Sequence, residues 1–470
     1  MFKIILDKEL REIVGTTKFA VTFGVCAVLI LLAFYVGARN YQISVEEYDA
    51  AVTENMRQME GVTDWANIDH RIFLPPQPLA ALVSGVSNDI GRTVTMDVRG
   101  ELRSEGSRFA EDPIFAVFRF LDLEFIFAIV LSLFAILFGF DAINGEKERG
   151  TLGLSFANSV PRAQYILGKI AGSFLALIIP LMIPILIGCL MLPLLGVPMD
   201  ADSWLRLAMV ILTGTLYFGV FLTLSVFIST LTQRSSTSFL ALVVAWVFAV
   251  LIIPRTSVLA AGRMVDVPSV DQVDFAKGMY SAQLFNDRMV AMQAWTQQNY
   301  QSDHRLMMEG MQAFTTEQQD LLDEKMRIFV EELNRDRDNK SNLRNNVAFS
   351  LARISPTASF SLAASDLAFT SMELRTSYLD AASEYQQEFA AFMRSKNVDY
   401  GGEQYVGHGA PVVVEEPPPI DTRELPLFAY EPPPASEAVG EALPDLGILF
   451  MFNAFFCAGA FVRFNRYDLR

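Results

Sequence analysis

Six apolar stretches constrain this chain more than anything else in it: Phe19–Ala38, Phe118–Phe140, Ile166–Leu195, Trp204–Leu231, Phe239–Ile253 and Leu443–Val462. A helix that crosses a bilayer needs about 20 predominantly apolar residues. In hydrocarbon, each backbone N–H and C=O must be satisfied within the protein, which leaves helices or closed barrels as the possible spanning forms. Unbroken apolar runs of this length read as helices. The fifth is the shortest, and Thr237 and Ser238 extend it. The third is overlong and carries Pro180, Pro184 and Pro193, which predicts kinks or a broken end. The first is too long for the apolar region of a signal peptide and lacks a small-x-small cleavage site, so it reads as a retained helix. At 52% hydrophobic residues and positive mean hydropathy, the chain is too apolar for an ordinary soluble enzyme. The expectation is a mainly α polytopic membrane protein with six transmembrane helices, at 19–38, 118–140, 166–195, 204–231, 237–256 and 443–462.

Six spans put both termini on one side, and charge says which. Segments 1–18, 141–169, 232–236 and 463–470 together hold 12 basic and 7 acidic residues, against 25 and 46 in the remainder. Short basic loops facing a strongly acidic remainder follow the positive-inside rule and predict an N-in, C-in topology. Residues 39–117 and 257–442 then fall outside, as a two-segment, largely helical extracytoplasmic domain with minor β content. Ser44–Met59 reads as a helix with Ser44 as its cap, and Thr93–Leu102 alternates like a strand. In the second piece, Val270–Tyr300, a helix opening at Thr315-Thr316-Glu317 and running to Arg353, and Pro356–Ser395 read as three long helices. Residues 411–434 are proline-rich and acidic, and read as an extended connecting strap more readily than as a partner-binding segment.

The absences matter as much. No GxxxxGK[ST], HExxH, GxSxG or CxxC occurs. Cys26, Cys189 and Cys457 all lie in apolar stretches, and His70, His304 and His408 are scattered without ligand spacing. The chain offers no ATP site and no metal or cofactor site of its own, and nothing in it points to nucleic acid. Asp122, Glu124, Lys169, Asp202 and Arg206 sit near span ends, so the span centres lack the ionisable groups of a proton or ion path. Energy for any work would come from another subunit.

Three cytosolic features remain. Residues 2–14 can form an amphipathic helix with Phe2, Ile5, Leu6, Leu10, Ile13 and Val14 on one face, suited to the inner membrane interface. In loop 141–165, Gly145 and Gly150 bracket the charged run Glu146-Lys147-Glu148-Arg149, followed by Thr151-Leu152 and then Pro161-Arg162. The tail from Phe464 to Arg470 is basic and can anchor the last span.

The series Glu146, Glu148, Arg149, Gly150, Thr151, Leu152, then Pro161-Arg162, then Leu167-Gly168-Lys169, is similar to the E-x-E-x-G-T-L…P-x-[RS]…GK pattern of ABC-2-type ABC transporter permeases. The six-span layout and amphipathic N-terminal helix fit too. The chain further resembles a subgroup with large periplasmic insertions after spans one and five, through Ser355-Pro356-Thr357, Asp366-Leu367, Leu425-Pro426-Leu427-Phe428 and the Arg466–Arg470 end. The resemblance implies a permease subunit in a bacterial inner membrane, exporting a substrate as a dimer with an identical or paralogous chain. A separate P-loop ATPase would hold ATP and Mg. It would contact a coupling loop (Glu146, Lys147, Glu148, Arg149, Gly150, Thr151, Arg162) and a second loop (Gln233, Arg234), beside an interface helix carrying Phe2, Leu6, Leu10 and Ile13. The alternative is mechanotransmission, in which the ATPase drives the periplasmic domain against a periplasmic protein and nothing crosses the membrane.

Overall fold

The computed structural model describes residues 2–87, 90–96, 104–105, 122–157, 160–299, 304–396 and 419–466. Helix α1 is Phe2–Val14, and α2 (Thr17–Met59) starts on Thr16, whose side chain accepts from the Phe19 backbone N–H. The spans continue with α3 (Leu123–Glu148), α5 (Arg162–Leu194), α6 (Ala201–Leu231), α7 (Ser235–Met264) and α12 (Ala435–Asn465), and short α4 (Thr151–Ala157) lies between α3 and α5. These six helices are long and apolar enough to cross a membrane. Pro180, Pro184 and Pro193 are all accommodated within α5, which ends one residue past the last of them. The first four residues expected in the second span lie outside the described residues, and Asp122 caps α3 by accepting from Phe125 N.

Two turns of π helix interrupt the α ladder, Ile126–Leu131 in α3 and Val247–Ile252 in α7. The span core is aromatic: Phe34, Phe127, Phe134, Tyr217, Phe218, Phe221 and Phe360 are essentially fully buried. Small residues let the helices approach this closely. A Cβ on Gly214 would stand 2.6 Å from the Phe127 ring, so the α3–α6 contact depends on that position having none.

The chain divides into two units, residues 1–254 with 352–470, and Arg255–Leu351. In the first unit, α2 does not stop at the membrane boundary. It runs 43 residues, about 65 Å at 1.5 Å per residue, with no break at Ser44. Beyond the spans, strands β1 (Arg71–Phe73), β2 (Thr93–Thr95) and β3 (Ser104–Glu105) form an antiparallel sheet in that order, pairing Ile72 with Val94 and Val94 with Ser104. Helix α11 (Met372–Ser395) shares a core with this sheet through Leu374, Tyr378, Tyr385, Phe389 and Met393 against Ile72, Leu74, Val86 and Val94. Tyr378 donates to both Ile72 O and Arg92 O at 3.1 Å, which joins two pieces of chain nearly 300 residues apart. Residues 397–418, which include the start of the expected strap, lie outside the described residues. The strap's end is pinned where Asp202 accepts from Ala435 N at 2.9 Å.

Expectation and structure part at 356–395. The segment is two helices, not one: α10 (Pro356–Ala368) ends at Phe369 in a left-handed conformation (φ 55°), and Ser371 caps α11. Helix α10 is buried on nearly every side among the spans, against α6, α12 and the π turn of α7. Its Ser, Ala and Thr residues make it thin enough to fit there, and that composition does not read as a span.

The second unit pairs α8 (Val270–Gln298) with α9 (His304–Ala352). Tyr280 stacks on Phe329 with centroids 4.1 Å apart, Trp295 stacks on Phe314 at 5.5 Å, and Arg288 donates to Gln319 at 2.7 Å. Helix α9 begins earlier than expected. The Thr315 and Thr316 hydroxyls bond back to Met311 O and Gln312 O within it and do not cap its start.

Candidate functional site

The loops assigned to the cytosol meet the N-terminal helix at one end of the span bundle. Helix α1 lies along α5, where Gly168 and Gly172 stand one turn apart. A Cβ on Gly172 would come within 2.8 Å of Glu9 Cβ, and one on Gly168 within 3.1 Å of Ile5. This small-xxx-small groove admits the α1 backbone at close range. Leu6 and Leu10 are half-buried and Ile13 is buried, while Phe2 keeps 41% of its surface exposed. Most of the apolar face read as membrane-seeking is therefore spent on α5.

Between the two glycines, Lys169 is almost fully buried and ion-paired to two carboxylates, Glu9 Oε2 at 3.0 Å and Glu146 Oε1 at 2.9 Å. Ser173 donates to Glu9 at 3.4 Å, Tyr165 OH donates to Glu146, and Lys8 reaches Glu146 at 3.3 Å. Burial raises the Glu9 carboxyl above the usual carboxylate range, and the Lys169 ammonium opposes it. Carboxylate oxygens of Glu9, Glu12 and Glu146 approach within 4.8 Å of one another, a spacing that could suit a metal ion. The cation seated between Glu9 and Glu146 is instead the Lys169 ammonium. At the rim, Glu12 faces Lys8 and Arg149, each at 3.8 Å.

The two loops read from the sequence as separate contacts are clasped together. Glu148 accepts from the Ser235 backbone N–H at 2.9 Å and its hydroxyl at 2.8 Å, so a residue of the first loop caps the helix that leaves the second. Asn144 donates to Thr232 Oγ1 at 2.9 Å and accepts from Ser235 Oγ at 3.2 Å. The hydroxyl of Ser229 accepts from the backbone N–H groups of Ile143 and Asn144 at 3.0 and 3.2 Å. Arg162 donates to Asn465 O at 2.7 Å, and Phe156, Tyr165 and Phe464 pack ring against ring, which ties α4, α5 and the end of α12.

The expected contact residues thus divide. Glu146 is 2% exposed and turned inward to Lys169 and Tyr165. Glu148 is at the surface but committed to Ser235. Arg149, Gly150, Thr151, Gln233 and Arg234 are exposed, and Lys147 and Arg162 are half-exposed. Gly150 adopts φ 74°, which strains any L side chain there. Sequence reasoning missed Glu9 and Tyr165, took in Ser235 only as part of the loop 232–236, and placed Lys169 in the family pattern without a role. A signal was present in the Tyr165–Lys169 pair, four residues apart on one helix face, with Lys169 framed by Gly168 and Gly172. It also missed Asp445. This fully buried residue of α12 takes a two-point salt bridge from Arg353, both bonds at 2.8 Å.

One family model, described as ABC-2 family transporter protein, matches residues 3–469 of the chain. No curated protein matches it.

Proposed function

The chain belongs to the ABC-2 transporter family, and from that membership we propose that it is the permease subunit of an ATP-driven exporter, working as a dimer with separate P-loop ATPase subunits. The permease sits in a bacterial inner membrane with its basic end in the cytosol and its acidic part in the periplasm. ATP and Mg belong to the ATPase.

The observation that carries this reading is the clasp between Glu148 and Ser235. A loop that is to receive force must not absorb it, and rigid elements transmit displacement where floppy ones do not. Here the 144–157 segment is fixed to α7 through Glu148, to α5 and α1 through Glu146 and Lys169, and to α12 through the Phe156–Phe464 contact. A push on the exposed rim at Arg149–Thr151 and Gln233–Arg234 therefore reaches four helices at once. That rim is basic, so the matching surface of the ATPase is acidic.

Co-purification of the chain with the products of neighbouring genes tests the partnership, and the absence of a P-loop ATPase would overturn it. Within the complex, Glu148→Arg and Gly150→Pro should leave ATP hydrolysis running while abolishing its dependence on the permease. Retained coupling in both variants would mean that the loop is only a connector.

Mechanotransmission without transport is the second reading, supported by the length of the helices in the Arg255–Leu351 unit, 29 residues for α8 and 49 for α9. Reconstituted vesicles separate the two: transport requires a solute or lipid to change sides with ATP turnover.

A further inference from the structure

The two π turns and the start of the buried helix α10 meet at one level of the bundle. Tyr217 lies 14 residues from the inner end of α6 and Ala249 lies 14 residues from the inner end of α7, about 21 Å in each case, so both sit inside the hydrocarbon layer. A π turn inserts an extra residue into the helix and displaces carbonyls from their ordinary i+4 partners. Side-chain donors can complete the bonding of such carbonyls where hydrocarbon offers no water. The structure supplies side-chain donors at both π turns. In α3, Ala128 O accepts from Tyr217 OH at 2.9 Å and from Ser132 Oγ at 2.7 Å. In α7, Ala249 O accepts from Ser355 Oγ.

The donors are linked to one another and to α10. The Tyr217 hydroxyl shares a hydrogen bond with Thr357 Oγ1 at 3.0 Å, and its ring stacks on Phe360 at 4.7 Å. Ser355, besides serving Ala249, caps α10 by accepting from Thr357 N at 3.1 Å. Trp246, the residue before the α7 π turn, donates its indole N–H to Ser132 at 2.8 Å, just past the α3 π turn. The two π turns therefore form one hydrogen-bonded assembly, with the start of α10 wedged into it.

The position of this assembly along the chain gives it a use. The unit Arg255–Leu351 leaves the spans three residues after the π turn of α7 ends at Ile252, and returns four residues before Ser355. Both covalent roots of the insertion thus end on the same hydrogen bond, Ser355 to Ala249. We propose that Ser355, Thr357 and Tyr217 hold α3 and α7 in their π form as a single two-state joint, and that this joint is where displacement of the 255–351 insertion and rearrangement of the spans are exchanged. Withdrawal of α10 takes Ser355 away from Ala249 O and Thr357 away from the Tyr217 hydroxyl, which leaves Tyr217 free to turn from Ala128 O. Each π turn then relaxes to α, and the following residues advance by one position, about 100° of rotation and 1.5 Å of rise. A small pull at the insertion becomes a change in which side chains α3 and α7 present to their neighbours. The joint does not depend on the ATPase assignment.

Hydrogen–deuterium exchange on the full-length chain in lipid nanodiscs, without any ATPase, tests this. Tyr217→Phe keeps the ring stack and removes the donor, and Ser355→Ala removes the other. The joint predicts that Tyr217→Phe raises exchange about fivefold to tenfold in the 126–134 amides and also in the 247–253 amides, where Tyr217 makes no bond to Ala249. Ser355→Ala should do the same in reverse, and Ser355→Thr, which keeps a hydroxyl, should restore the wild-type pattern. Exchange in 166–181 of α5 should stay unchanged throughout. The proposal is overturned if each variant affects only its own π turn, if neither changes exchange, or if exchange rises alike in all six spans, which would signify general destabilisation.

Discussion

Replacing Lys169 with methionine tests the central feature of the end of the bundle where α1 meets α5. The substitution conserves length and removes one charge from a site where three ionisable groups are almost fully buried, with side chains 4%, 8% and 3% exposed for Lys169, Glu9 and Glu146. At an effective dielectric constant of about 20, each Lys169 ion pair is worth about 6 kcal/mol of attraction, while the two carboxylates, within 4.8 Å of each other, repel by at least about 3 kcal/mol. Most of that attraction is offset by the cost of taking the ions out of water, so the intact cluster contributes little net stability. Its loss is a different matter. Methionine leaves two like charges buried, with only the half-exposed Lys8 ammonium at 3.3 Å beside Glu146 and no cation within reach of Glu9 among the described residues, and breaking a buried pair in this way costs about 3–5 kcal/mol. The thermal midpoint of the purified chain in detergent should fall sharply, and protease should clip α1 from a protein whose outer part is intact. The triple variant Glu9→Gln, Glu146→Gln, Lys169→Met removes all three charges and should recover most of the loss. A thermal midpoint within one degree of wild type for Lys169→Met, or a triple variant no better than the single one, would refute the account.

Three further outcomes follow from the same physics. Gly172→Leu places a side chain where even a Cβ meets Glu9 at 2.8 Å, so α1 should be displaced from α5 at a cost of about 1–3 kcal/mol, read as new proteolysis within residues 1–16. Arg353→Met strands the fully buried Asp445 and should destabilise by about 3–5 kcal/mol in thermal unfolding, whereas Arg353→Met with Asp445→Leu should return near wild type. His70, bonded to Tyr385 at 2.7 Å, is pushed down to about 4 by burial. A depressed histidine stabilises the fold above its unfolded value of about 6.5, and that contribution, up to about 3 kcal/mol, is lost as pH falls from 6.5 through 4. Unfolding of the core around the sheet and α11 should show this acid dependence, and His70→Gln should flatten it.

The sequence by itself determined the membrane architecture. Apolar runs near 20 residues have one economical solution in hydrocarbon, so six spans were legible without any tertiary information, as was α1 from its 3.6-residue periodicity. The family was legible from the charged loop pattern, and the family match over residues 3–469 agrees with that membership. The direction each charge faces was not legible. Glu146 and Glu148 are two residues apart, on opposite sides of a short helix, and only the packing of α5 against the loop sends one to Lys169 and the other to Ser235. The role of α10 was equally hidden, because a 13-residue helix of Ser, Thr and Ala has neither the length of a span nor an apolar stripe. What buries it is the space between α6, α7 and α12, and Ser355 at its start ties it to Ala249 O in the π turn of α7. Hydrophobicity is local and additive along the chain, and the sequence states it directly. Satisfaction of buried charges and carbonyls is a property of which segments meet, and the tertiary structure alone decides that.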